Sequence, residues 1–171
     1  MVKAVTNFTL FQLAWFAAVI GGATGWPIFG SIPAIVVVAI DLWFYRTQLK
    51  REALLVVGIT LLGVIVETVF ITLGALHYSG TSSNAVLPPI WIIALWSSFG
   101  TLPHTSLGWL SGRVWLQLLL GAVLGPMSYF GGVKIGAAIL NEPLMSSLVI
   151  VGIGWGLAMP LIFYMADRSK P

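Results

Sequence analysis

The sequence contains no cysteine, and this absence excludes several kinds of site. Disulfide-stapled folds, thiol nucleophiles and Cys-ligated zinc or iron–sulfur centres all require that residue. Histidine occurs only as His77 and His104, so a histidine-box di-iron centre is excluded too. The sequence also lacks a nucleophile elbow, a zinc-protease motif and a phosphate-binding glycine loop. We therefore predict no metal and no cofactor.

Charged residues are scarce as well. They make up 8% of the 171 residues, whereas 58% of the residues are hydrophobic. Soluble domains are about 25% charged, so the composition indicates an integral membrane protein surrounded by lipid. The formal net charge of +3 is better explained as an orientation signal than as affinity for nucleic acid, and we predict no nucleic-acid partner.

The hydrophobic segments predict an all-α, compact six-helix transmembrane bundle with a kinked fifth helix. Pro126 is the expected origin of the kink, because proline removes a helical hydrogen bond and its ring clashes with the preceding turn. Residues 1–171 form one domain in this prediction. The spans are expected at about 7–24, 27–45, 52–76, 89–111, 113–140 and 144–165.

Two alternatives affect this topology. The first span could instead be a cleaved signal peptide, with Gly21, Gly22 and Ala23 at the cleavage site. The two halves of three spans could also be an inverted repeat, as in many transporters. A retained first span and no repeat are the simpler interpretations, because the rest of the chain is equally hydrophobic.

The basic residues predict the orientation of the bundle. If the N-terminus is cytoplasmic, Lys134 is the only basic residue on the outer side of the membrane. The cytoplasmic set is Lys3, Arg46, Lys50, Arg51, Arg113, Arg168 and Lys170. Because basic residues are enriched on the cytoplasmic side, we predict that both termini lie in the cytoplasm.

Glu67 is the leading candidate for a functional residue. It follows Glu52 by fifteen positions, which is about 22 Å along a helix and therefore well inside the membrane. A carboxyl group at this depth must be protonated, paired or facing a cavity. Tyr129 lies at a similar predicted depth and is its expected hydroxyl partner. The alternative is a structural carboxyl that holds two helices together.

His104 is the third member of the candidate polar site, with Glu67 and Tyr129. It lies in the stretch 88–113, which also contains Pro103, Thr105 and Ser106. We expect His104 to lie closer to the cytoplasmic surface than Glu67. The two side chains could therefore line one cavity without touching. Thr105 and Ser106 could instead satisfy carbonyl groups released by Pro103, and His104 could be a structural hydrogen-bonder.

Weaker candidates have simpler explanations. Asp41 could pair with Arg46 or contact a neighbouring helix. Lys134 could extend to the lipid headgroups or reach inward to Glu67, and Gln117 could form a hydrogen bond between helices. Among the eight tryptophans, Trp15, Trp96 and Trp155 are predicted to lie deep and could wall an apolar cavity or simply pack.

Four segments give the chain a resemblance to a known family. They are NFTLFQLAWFAAVIGGA, LPPIWIIALWSSFGTLPHTSLGWL, GAVLGPMSYFGGVKIGAA and WGLAMPLI. In this order they resemble a family of small, uncharacterised bacterial inner-membrane proteins known as domain of unknown function two-eight-seven-eight. The resemblance covers nearly the whole chain. It supports the location and the span count and implies no mechanism.

Three functions are compatible with these features. The first is a binding or transport module for a small, largely apolar molecule at the intramembrane polar site. The second is a membrane-embedded enzyme acting on a lipid or isoprenoid, with Glu67 or His104 as the acid–base group. The third is an accessory protein whose polar residues only set helix packing. A homo-oligomer or a larger membrane complex is compatible with all three.

The topology can be tested with single cysteines, because the natural chain contains none. We expect cysteines introduced at Ser83 and Ser169 to react with an impermeant thiol reagent from opposite sides of the membrane, since an odd number of spans separates them. Labelling in right-side-out and inverted vesicles measures this. Reaction of both from the same side would contradict the six-span topology.

Overall fold

The architecture was obtained as a computed structural model, which describes residues 2–82 and 84–169. Ser83, one of the two labelling positions proposed above, lies outside the described residues, as do Met1, Lys170 and Pro171. Within the described part of the chain there are six α-helices. They are α1 (Val2–Ala23), α2 (Pro27–Phe44), α3 (Leu49–Thr72), α4 (Ile90–Phe99), α5 (Val114–Ile135) and α6 (Leu144–Ser169).

The predicted all-α bundle is confirmed. Five of the described helices, all except α4, are long and apolar enough to cross a membrane, and α4 is a shorter apolar helix. The protein is therefore membrane-embedded. Helices α1 and α2 pack together, as do α5 and α6, while α3 and α4 lie between these pairs. Helices α1 and α5 contact each other only sparsely.

The fourth span differs from its prediction. Helix α4 ends at Phe99 rather than near residue 111. Pro103 explains the early end, because its ring would clash with the carbonyl group of Phe99 in a continuing helix. The chain proceeds through turns to a short 3₁₀ helix, Gly108–Leu110. Non-helical backbone at membrane depth must be buried in protein, and Thr101 and Leu102 are almost completely buried.

The third and fifth spans also end earlier than predicted. Helix α3 ends at Thr72, and the chain turns at Gly74, which has a φ of 67°. Helix α5 ends at Ile135, because Gly136 adopts a left-handed conformation with a φ of 92°. Such positive φ values are readily available to glycine alone. Helix α5 continues through Gly131 and Gly132.

Two short strands follow these helix ends, and the helical prediction missed both. Strand β1 (Leu76–Tyr78) pairs antiparallel with β2 (Ala138–Leu140), and His77 lies opposite Ile139. His77 and Tyr78, which follow the predicted third span, thus belong to β1. This two-stranded pairing joins the end of α3 to the end of α5.

Pro126 lies inside α5, as the predicted kink requires. Having no N–H group, it cannot donate to the carbonyl oxygen of Ala122. That oxygen would lie 3.1 Å from a Cβ atom added to Gly152 of α6, so the freed carbonyl faces a close helix neighbour. The kink itself stays a prediction.

The ends of the helices fall on two sides of the bundle. Asn7 near the start of α1 accepts hydrogen bonds from Thr105 and Ser106. His104, beside them, contacts the carbonyl oxygen of Ala166 near the end of α6. The start of α1 and the end of α6 therefore lie on the same side of the bundle. We call this side, which contains residues 101–106, the terminal side, and the side containing β1 and β2 the clasp side.

Glycines allow the first two helices to approach closely. A Cβ atom added to Gly30 of α2 would lie 2.7 Å from the backbone carbonyl oxygen of Ala17 in α1. Backbone atoms cannot move aside as a flexible side chain can. Close packing of this kind is a main source of helix association in lipid.

We expect Gly30→Ala to destabilise the protein by about 1–3 kcal/mol, because the added methyl group forces α1 and α2 apart. Thermal unfolding followed by tryptophan fluorescence measures this. Gly58→Ala is the matched control, since its added methyl group meets only the Met165 sulfur at 3.6 Å. Equal losses of stability in both variants would contradict the packing argument.

Candidate functional site

The Glu67 carboxyl group is completely buried, with an exposed fraction of 0%. It accepts three side-chain hydrogen bonds. The Tyr78 hydroxyl group donates to Oε2, while Trp96 Nε1, at 2.8 Å, and the Tyr129 hydroxyl group both donate to Oε1. The predicted contact between Glu67 and Tyr129 is thus present, and two donors that were not predicted join it.

The three donors come from three different elements, and the fold brings each of them to α3. The turn at Gly74 sends β1 back along α3, which places Tyr78 beside Glu67. The β1–β2 pairing holds the end of α5, which contains Tyr129. Trp96 of α4 lies directly against Gly63, where an added Cβ atom would lie 2.1 Å from the indole ring.

All three partners of Glu67 are neutral. Burial raises the pKa of the Tyr78 hydroxyl group well above its ordinary value, and the nearby Glu67 carboxyl group and Tyr129 raise it further. Tyr78 therefore stays protonated and remains a donor. Among residues 2–82 and 84–169, no lysine, arginine or histidine forms an ion pair with Glu67.

A cavity of about 610 Å³ extends from Glu67 through the bundle. Its polar side chains are few, chiefly Gln12, Glu67, Ser128 and the two tyrosines that bind Glu67. The remaining wall is mostly apolar and aromatic. Its other aromatic members are Phe8, Phe11, Trp15, Trp91, Trp96, Phe99, Trp109 and Trp155. Trp15, Trp96 and Trp155 therefore line a cavity, one of the two roles considered for them.

The cavity opens sideways between α1 and α5. Four of its lining residues are also exposed on the surface of the bundle: Phe8 of α1 at 47%, Leu124 and Met127 of α5 at 52% and 62%, and Trp109 of the 3₁₀ helix that precedes α5 at 54%. These two helices contact each other only sparsely. In a membrane this surface faces the lipid, so the opening connects the cavity with the hydrocarbon layer.

Two stacked tryptophans form part of the cavity wall near Glu67. The rings of Trp96 and Trp155 lie 4.5 Å apart and are inclined by 16°. The Trp155 indole N–H group is buried near the Tyr129 hydroxyl group but forms no hydrogen bond with a described residue.

His104 does not belong to this cavity, contrary to the prediction of one site. It lies on the terminal side, where Nδ1 is 2.8 Å from Glu52 Oε2 and Nε2 is 2.9 Å from the carbonyl oxygen of Ala166. The reason is the turn-rich backbone after Phe99, which carries His104 to the start of α3 and the end of α6. Glu52, only 3% exposed, was not recognised as a partner because it begins a helix in the sequence.

Asp41 lies beside Glu52 in this second polar cluster. It is 4% exposed, and of the two explanations considered, contact with a neighbouring helix fits its position. No ion pair between Asp41 and Arg46 occurs among the described residues, and Arg46 instead lies over the Trp43 ring. Tyr45 completes the cluster, and burial, together with Asp41 and Glu52, raises the pKa of its hydroxyl group.

The other weaker candidates have local roles. Thr105 and Ser106 donate to Asn7 Oδ1, each at 2.8 Å, and Thr105 also donates to the Thr101 carbonyl oxygen. Buried Gln117 donates to the carbonyl oxygen of Leu110. Lys134 is exposed and lies over the Phe130 ring, 5.1 Å from its centroid. None of the four lines the cavity.

The site suits the binding of a polar group more than that of a metal. Among the described residues, no group of three or more His, Asp or Glu side chains is placed to hold a metal ion. The Glu67 carboxyl group can accept a hydrogen bond or exchange a proton, and the aromatic walls can contact an apolar body.

Fold and sequence together define a membrane-embedded all-α protein. A family model described as protein of unknown function (DUF2878) matches residues 4–161, which is nearly the whole chain, and the protein belongs to this family. This confirms the family resemblance found in the sequence. No curated protein and no solved structure matches the chain.

We expect Glu67→Leu to destabilise the protein by about 3 kcal/mol or more. It leaves three buried donors without their acceptor, at about 1–3 kcal/mol each. Glu67→Gln should lose less, because its amide oxygen still accepts. Thermal unfolding measures both, with the exposed Ile65→Leu as the control on the same helix. Indistinguishable stabilities of the Leu and Gln variants would contradict this account.

Proposed function

We propose that the protein is a binding or transport module for a small, largely apolar molecule, which enters from the lipid and places its polar group at Glu67. The observation that carries this proposal is the lateral cavity, whose apolar walls lead to one buried carboxyl group. A pocket with a mainly apolar wall and a few convergent polar groups is typical of small-molecule sites.

The two other functions fit the cavity less well. An accessory protein would gain nothing from an open volume of about 610 Å³ in its centre, because empty space forfeits packing contacts. A lipid- or isoprenoid-modifying enzyme remains the alternative, since the opening faces lipid. Apart from Glu67, however, the described ionisable groups lining the cavity are Tyr78 and Tyr129. Both already donate to Glu67, so a second proton-transfer group is missing.

The proposed location is the bacterial inner membrane, with both chain ends in the cytoplasm. Lys3, Arg46, Arg113 and Arg168 support this orientation, because each lies near the terminal end of its helix, whereas Lys134 lies near the clasp end of α5. Basic residues favour the cytoplasmic side. Assembly into a homo-oligomer or a larger membrane complex stays a prediction.

A cavity-filling variant tests the proposed function. Gly132 is buried and lines the cavity, and a Cβ atom added there meets no atom within 4 Å. We expect Gly132→Leu to fold normally and to lose a small molecule that co-purifies with the natural protein, because the new side chain occupies its space. Native mass spectrometry from membranes, followed by extraction and identification, measures this.

The matched control is Val123→Leu, which enlarges a side chain on the lipid-facing surface of the same helix. It should retain the co-purifying molecule. Equal retention of this molecule by Gly132→Leu, or its absence from the natural protein in every extraction, would count against a binding role for the cavity.

A further inference from the structure

We propose that the ligand is a lipophilic cation, an ammonium group on an apolar body, whose charge is neutralised by Glu67. This inference rests on the proposed binding function and adds the chemical class of the ligand. It follows from the charge balance, the free acceptor position and the aromatic walls of the site.

The described part of the site offers no charge opposite to that of an ionised Glu67. Three neutral donors surround Glu67, and hydrogen bonds donated to a carboxylate favour its charged form. A buried charge is normally accompanied by an opposite one. The described residues supply no such partner, since the salt bridge found among them joins His104 and Glu52 on the terminal side. A cationic ligand would supply the missing charge.

The carboxylate also has room for one more donor. Oε1 accepts from Trp96 and Tyr129, whereas Oε2 accepts from Tyr78 alone. Because each carboxylate oxygen accepts about two hydrogen bonds, one position remains on Oε2. Glu67 borders the cavity with an exposed fraction of 0%, so a ligand in the cavity would reach Oε2 after a small movement of the side chains around it.

The aromatic walls favour the same class of ligand. The faces of tryptophan and tyrosine rings attract cations, and tryptophan does so most strongly. Trp91, Trp96, Trp155, Tyr78 and Tyr129 all line the cavity that contains Glu67. A neutral ligand would gain only apolar contact from these rings, and an anion would be repelled by the carboxylate.

A matched series of probes tests the inference. Phenylbutylamine, phenylbutyltrimethylammonium, phenylbutanol and phenylpentanoic acid share a phenylbutyl body and differ in the polar group. Binding to the full-length protein in phosphatidylcholine nanodiscs is measured by calorimetry and tryptophan fluorescence, with empty nanodiscs subtracted. We expect both cations to bind about tenfold or more tightly than the alcohol, the amine through a charge-assisted hydrogen bond to Glu67 and the quaternary ammonium, which has no N–H group, through charge and contact with the aromatic rings. The acid should bind least.

Glu67→Gln should lower the affinity for both cations about tenfold or more and leave the affinity for the alcohol nearly unchanged. If this variant does not fold, the ranking of the four probes on the natural protein decides. Equal affinity for amine and alcohol would overturn the inference, as would undiminished cation binding by Glu67→Gln.

Gly132→Leu separates this inference from the proposed function. It should weaken binding of every probe that occupies the cavity, whatever its charge. A different outcome is that the alcohol binds as tightly as the cations and that Gly132→Leu abolishes its binding. The cavity would then remain a binding site, and only the inference that the ligand is a cation would be overturned. Absence of binding by all four probes would overturn the inference as well.

Discussion

The burial of one carboxyl group is the constraint on which the rest of this structure depends. Glu67 has an exposed fraction of 0% in a chain that is 8% charged. In an apolar bundle such a group must receive hydrogen bonds, and its donors come from β1, α4 and α5. Three backbone features bring these donors to Glu67: the turn at Gly74, the β1–β2 pairing and the absence of a side chain at Gly63. A small set of backbone features thus ties four elements to one side chain.

Hydropathy and the depth of residues along helices predicted the bundle and the Glu67–Tyr129 pair, because both follow from distances along single segments. The missed features arise from contacts between distant residues or from local chain breaks. Pro103 ends α4 at Phe99, although a span of typical length was expected. Tyr78 reaches Glu67 only after the chain has turned at Gly74 and joined a strand some sixty residues away. The sequence of residues 77–87 has no alternation of apolar and polar residues that would predict this pairing.

The separation of the two polar clusters has the same origin. His104 and Glu67 were assigned to one site because both are ionisable residues in hydrophobic segments. The helix break after Phe99 moves His104 to the terminal side, where Glu52 and the end of α6 provide its partners. Nearby, Asn7 satisfies Thr105 and Ser106. This end of the bundle is therefore held by polar contacts among the turn-rich segment and helices α1, α3 and α6, as non-helical backbone in a membrane requires.

These two clusters also bear on how a ligand would reach Glu67. Glu67 is hydrogen-bonded to Tyr78 and Tyr129 on the clasp side, and the side chains of Leu102, Leu107 and Leu110 line the cavity toward the terminal side. Three exposed lining residues, Phe8, Leu124 and Met127, instead belong to α1 and α5, and a fourth, Trp109, belongs to the 3₁₀ helix before α5. Exchange with the lipid is consequently the direct route in this conformation.

A transport cycle would need a second conformation in which one of the two ends opens. The two ends are closed differently: side-chain hydrogen bonds of His104, Thr105 and Ser106 join the terminal side, whereas backbone pairing of two three-residue strands, with flanking bonds from Ser79 and Asn141, joins the clasp side.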